Sequence, residues 1–163
     1  MTTEIIANII AFFVYSYMGS TLESMSYYFM GRTYYYKLTN PVITAFPLYG
    51  IGAFLFIFVD YLLNYTGINN IDILFQLIIK VLVLGFVASV LEYITGKYFS
   101  NAGRGANPGC ILQDWDYSNE PLNIDGIVSF RHMLLWGMLG ITIVYTYPYL
   151  MKFLSCGLNC LTK

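Results

Sequence analysis

The stretch IDILFQLIIKVLVLGFVASVLEYITGKY, residues 71–98, decides the fold. It is apolar almost throughout, and its charges are confined to Asp72, Lys80, Glu92 and Lys97. A bilayer span needs about 20 predominantly apolar residues, and this run exceeds that. The whole chain agrees: it is 58% hydrophobic and 10% charged, against roughly 45–50% and 25% in soluble domains. Such a polar complement is too small to cover a soluble domain of this length. The environment implied is lipid, so the lipid bilayer is the first partner expected. A net charge of −1 gives no electrostatic footprint for nucleic acid, and none is expected as a partner.

Outward from that run, the chain turns polar over 99–126 and apolar again from 127 to about 154. On the N-terminal side lie apolar runs at about 45–65 and about 5–30, the latter with Glu23 as its one charge. The chain, 1–163, therefore reads as a single membrane domain. Its expected fold is all-α: a polytopic, four-transmembrane-helix bundle in an unspecified membrane. Ser16, Ser20 and Ser24 recur every four residues beside Gly19, a small-residue face that lets another helix approach. The second run opens on Phe46-Pro47-Leu48-Tyr49-Gly50-Ile51-Gly52, and proline suits a first helical turn. Tyr34-Tyr35-Tyr36 reads as an interfacial aromatic belt. The first four residues lack the basic flank of a signal peptide, so the first run is expected to stay in the mature protein. Arg32, Lys37, Lys97 and Arg104 fall on one side, Lys152 and Lys163 on the other, so the positive-inside rule places the two large loops in the cytoplasm.

Depth gathers the polar residues. Glu23 stands seven residues before the end of its run and Glu92 six before the end of its own, about 10 Å and 9 Å along the axis. Arg131 and His132 lie in the first turns of the fourth run, within roughly 8 Å of its start. Alternate crossings bring all four beneath the same interface. Charged residues inside a membrane cost about 2.5–3.5 kcal/mol at a helix centre and mark functional sites by default. They are expected to face inward and pair. With Tyr49 at the mouth of the second run, and Trp115, Asp116, Tyr117 and Asn123 in the polar loop, they form the candidate site. The bland alternative is that Glu23–Arg131 and Glu92–His132 are ties that only hold the bundle, or that Arg131 snorkels to the headgroups. Asp60 and Lys80 lie toward the opposite face and are expected to form a structural ion pair. Asp125, just before Gly126, reads as a helix-start residue.

Three cysteines (Cys110, Cys156, Cys160) and one histidine do not make a zinc site of about four ligands, and no metal site is assigned. Cys156 and Cys160 read as small apolar residues, with acylation or mutual pairing as alternatives.

Several local patterns, in order, carry a family resemblance: Gly19 followed by Glu23; Phe46-Pro47-Leu48-Tyr49-Gly50-Ile51-Gly52; Leu91-Glu92-Tyr93-Ile94-Thr95-Gly96; Trp115-Asp116-Tyr117-Ser118; Asn123 with Gly126; and Trp136-Gly137. Together they resemble the CmpB-type putative ABC-transporter type IV membrane family, including its small eukaryotic multi-pass relatives. The likeness covers about residues 15–137. In the bacterial pattern an arginine follows the glycine at the Gly126 position. Here Ile127 stands there, and Arg131 comes one helical turn later. The interval 101–113 is also longer than the family's. The resemblance implies a transport-related membrane component and no settled activity.

Three functions are compatible with these residues. The first is a permease-like component handling a small solute or lipid. The chain lacks a G-x-x-x-x-G-K-[ST] loop (Gly103-Arg104-Gly105-Ala106 has neither the lysine nor the spacing), so any ATP hydrolysis would come from another protein. Four spans would also need a homo-oligomer to enclose a path. The second is a membrane-embedded enzyme acting on lipid headgroups by carboxylate acid/base chemistry. Glu23 or Glu92 would be the general base, Arg131 would grip a phosphate, and Asp116 with Asn123 would orient substrate or an oxygen-ligated Mg²⁺ or Ca²⁺. No nucleophile stands out, and no cofactor is assigned. The third is a structural or adaptor protein whose residues 115–118 cap the bundle while Asp116 and Asn123 satisfy turns. The permease-like reading ranks first.

Overall fold

The computed structural model describes residues 2–29, 46–98 and 116–161. Arg32, Lys37 and Arg104, the tyrosines at 34–36, Cys110, Trp115 and Lys163 lie outside the described residues. Four helices dominate: α1 (Thr2–Phe29), α2 (Phe46–Tyr65), α3 (Ile73–Tyr98) and α4 (Phe130–Leu161). They hold 28, 20, 26 and 32 residues. At about 1.5 Å per residue they run about 42, 30, 39 and 48 Å, enough to cross a hydrocarbon layer of about 30 Å. All four are also apolar enough to do so. The protein is an all-α, multi-pass integral membrane protein.

Its outer surface fits that solvent. Ile9, Phe13, Phe58, Phe75, Phe86 and Phe153 project outward on the four helices, an arrangement stable against acyl chains and costly in water. With lipid outside, helix association has little hydrophobic drive and rests on close packing of small residues. α3 packs along α4 and α1 along α2, while α4 also reaches α1 and α2, and α2 reaches α3. At the α3–α4 contact Gly85 lies against the Met133 carbonyl and Gly137 against the Val81 carbonyl, so backbone meets backbone. At the α1–α2 contact Gly50 faces Ser16 and Phe12, and Ser16 is fully buried. Between the pairs lies a small dry core of Phe56, Leu84 and Ala88, flanked by Val59, Trp136 and Ile141. Tyr147 donates to Asn8 Oδ1 at 2.6 Å, and Tyr15 and Thr146 hydroxyls meet at 3.4 Å, joining α4 to α1.

Two details differ from the sequence expectation. The fourth helix begins at Phe130 rather than 127, because the preceding residues form a hairpin of β1 (Asn123–Ile124) and β2 (Val128–Ser129). Asp125 and Gly126 have φ of 54° and 65°, and Ile127 N–H donates to the Ile124 carbonyl at 3.0 Å. Two left-handed residues at the centre of a closed turn are what a twisted hairpin requires, and Asp-Gly tolerates them. Asp125 is thus a hairpin-turn residue, not a helix start. Ile127 and Val128 are buried, with Tyr93 packed on them, which fastens the hairpin to the end of α3. The second difference is that α4 continues past 154 to Leu161, leaving Cys156 and Cys160 as free, exposed thiols on its last turns.

Candidate functional site

Gly19 sets the geometry on the first pair. A Cβ there would collide with the Tyr49 ring, so its absence lets that ring lie against α1. One turn further along α1, the Tyr49 hydroxyl donates to Glu23 Oε2. From the second pair, α3 supplies Glu92, whose Oε1 accepts the Tyr117 hydroxyl at 3.2 Å. Tyr117 is placed by the hairpin: its N–H donates to the Gly126 carbonyl at 2.8 Å. Its ring lies flat on His132, with centroids 3.9 Å apart and planes 17° from parallel.

Ser129 holds that histidine. Its Oγ accepts the His132 backbone N–H at 3.3 Å and meets Nδ1 at 2.9 Å, so it caps α4 and fixes the imidazole together. Such a cap is worth about 1 kcal/mol, and Ser129→Ala should lower stability by about that much. A drop in the detergent-solubilised melting midpoint, with weakened fluorescence quenching of Tyr117 by His132, would register both losses. One turn after His132, Trp136 stands 6.3 Å from the Tyr49 ring centroid, with its indole N–H turned to Glu92. Tyr49 thus links Glu23 on α1 to Trp136 on α4. Glu92 Oε2 and Trp136 Nε1 are nonetheless buried without a hydrogen bond of normal geometry. Such atoms are costly inside a protein unless met by a partner.

A family model described as putative ABC-transporter type IV matches residues 10–159. The chain belongs to that family. The match takes in Glu23, Tyr49, Glu92, Tyr117, His132 and Trp136 alike, so the cluster lies within the part of the chain that defines a putative ABC-transporter type IV protein. Nothing among curated proteins or solved structures matches the chain significantly.

The other expected residues of this ABC-transporter type IV chain have different positions. Arg131 does not join the cluster: it is 70% exposed and pairs with Glu120 at 3.3 Å. It sits about 100° round the helix from His132, and a long guanidinium at a helix entrance reaches the hydrated rim. The Glu23–Arg131 tie, one of the structural alternatives to a functional cluster, is therefore not formed. Between Glu92 and His132 stands Tyr117, bonded to the first and stacked on the second. Asp116 and Asn123 shape the loop that presents Tyr117. Asp116 Oδ1 accepts the Ser118 N–H at 2.9 Å. Asn123 donates to the Glu120 carbonyl at 2.8 Å and accepts the Gly126 N–H at 3.0 Å. Among the described residues no group of three or more His, Cys, Asp or Glu is placed to hold a metal ion. Trp136 and Ser129 are site residues that sequence reasoning did not assign. The S-F-R-H run at 129–132, a capping residue three before a polar side chain, was the available signal for Ser129.

Proposed function

We propose that the protein is a permease-like membrane component that moves a small solute, with Glu92 as the group that takes up and releases a proton as it does so. One observation carries this reading. Glu92 Oε2 is buried inside a membrane-crossing helix without a hydrogen bond of normal geometry, and Glu23, a carboxylate on another helix, is tied to the same cluster through Tyr49. Intramembrane acids facing a bundle interior characterise proton relays and solute pathways. Tyr49, Tyr117 and Trp136 give the pair hydroxyl and indole donors that can accompany a change of protonation. The family description supports a transport-like role. The Phe56–Leu84–Ala88 core fills the middle of a single copy, so the path would form between copies of this chain in a homo-oligomer. Energy from ATP, where used, would come from a separate subunit.

The test is proton flux into liposomes that carry the purified protein and a trapped pH-sensitive dye. Wild type is expected to dissipate an imposed pH gradient. Glu92→Gln, which keeps the shape and removes the titratable group, is expected to reduce that flux to the level of protein-free vesicles while melting like wild type. Undiminished flux through Glu92→Gln would sink the proposal. Lipid turnover without flux would replace it with the headgroup-enzyme reading.

A further inference from the structure

At the other end of the bundle a second polar site lies outside the Glu92 cluster. Gln76, Lys80, Leu84, Ala88 and Glu92 recur every four residues along α3, so one row of side chains runs from Gln76 and Lys80 to Glu92. Lys80 and Glu92 are about 18 Å apart along the axis, with the Phe56–Leu84–Ala88 core between them. Lys80 Nζ is 2.7 Å from Asp60 Oδ1 and donates to Asn64 Oδ1 at 2.9 Å. Asn64 in turn donates to Asp60 Oδ2 at 2.8 Å, and Gln76 donates to Asn69. This is the ion pair expected from the sequence, and it does not end in a closed core. It lines a cleft of about 420 Å³ whose other wall is Val144, Tyr145, Pro148 and Tyr149 of α4.

Several groups on these walls have bonding capacity left. An ammonium carries three N–H donors, and the two contacts above engage two of them. Asp60 lines the cleft, and its two contacts, Lys80 on Oδ1 and Asn64 on Oδ2, use two of the roughly four lone-pair sites of a carboxylate. Pro148 lies inside α4 and has no N–H, so the Val144 carbonyl four residues earlier lacks its intrahelical donor.

We propose that this cleft is a binding site for a net-neutral zwitterion bearing an oxyanion and an N–H-bearing ammonium group. Net neutrality follows from the walls. A ligand of one sign would draw off one member of a buried charge pair and strand the other, which is heavily disfavoured. A zwitterion satisfies both members at once: its oxyanion meets the spare Lys80 donor, and its ammonium meets the cleft side of the Asp60 carboxylate and the Val144 carbonyl. Tyr145 and Tyr149, both exposed, border the entrance with hydroxyl groups suited to a membrane interface. The same chemistry is available in an ethanolamine phospholipid headgroup and in a free water-soluble zwitterion.

The test uses the full chain in detergent and its thermal midpoint, since a ligand that binds the folded state alone raises that midpoint with concentration. The probes are phosphatidylethanolamine, phosphatidylglycerol and tail-free glycerophosphoethanolamine. A rise with phosphatidylethanolamine above that with phosphatidylglycerol supports the site. A rise with glycerophosphoethanolamine as well assigns a soluble zwitterion, and its lack assigns the lipid. Pro148→Ala, which returns a donor to the Val144 carbonyl and favours the helix, should weaken the effect about tenfold, as expected for losing one charge-assisted bond. Equal response to the two lipids, or an unchanged response in Pro148→Ala, overturns the proposal. Glu92→Gln should leave all these shifts in place, so the outcome is separate from that of the proton-flux test.

Discussion

Lys80→Met destabilises the protein by about 3–5 kcal/mol, the cost of leaving one member of a buried pair behind. Lys80 is 4% exposed, and its partner Asp60 is buried on the adjacent helix. With the ammonium gone, Asn64 alone would face the Asp60 carboxylate, so the acid must stay charged in a poor solvent or take up a proton to fold. The partner variant settles the cause. Adding Asp60→Asn to Lys80→Met replaces the pair with neutral groups of similar size, and most of the loss should return, because exchanging both members of a buried pair is often near neutral. Thermal midpoints of the two variants in the same detergent decide it. A single variant as stable as wild type, or a double variant no better than the single, would show that the pair contributes nothing to the fold.

Gly137→Ala is the second large effect, and its direction opposes helix propensity. In an exposed helix interior Gly→Ala gains about 1 kcal/mol. Here the new Cβ would press on the Val81 carbonyl, with its carbon at 2.9 Å and Val81 Cγ1 at 3.0 Å. Overpacking costs about 1–3 kcal/mol, and a backbone obstacle can yield only if α3 and α4 separate, so the upper end is expected. Gly85→Ala should behave alike, since its Cβ would meet the Met133 carbonyl. Gly157→Ala is the control: nothing lies within 4 Å of that position, and it should be neutral or slightly stabilising. Equal melting of Gly137→Ala and Gly157→Ala would remove the close α3–α4 contact from the account of stability.

The fold was legible because hydrocarbon runs of span length admit few alternatives. The convergence of Glu23 with Tyr49 and Glu92 was legible for a related reason, since depth along a spanning helix can be counted from either end. Azimuth cannot. Arg131 and His132 are adjacent in sequence and equal in depth, yet one faces the rim and the other the cluster, and that choice depended on a hairpin not foreseen. The hairpin itself had a signal in Asp125-Gly126 between Ile124 and Ile127-Val128, the dipeptide that a tight two-residue turn favours. Reading those residues as a helix start carried the fourth helix three residues too far toward its N-terminus. Trp136 was visible only as a family pattern, because nothing in a helical register says which neighbouring helix an indole will meet.

The glycine contacts divide the molecule into two stiff halves, α1 with α2 and α3 with α4. Each polar station draws on both halves: Glu23 and Tyr49 face Glu92 and Trp136 at one end, and Asp60 faces Lys80 at the other. Among the described residues, the joint between the halves therefore runs past Asp60 and Lys80 at one end and Glu92 at the other. Any tilt of one half on the other would shorten distances at one leaflet as it lengthens them at its opposite, so the bundle has one seam along which both polar stations lie.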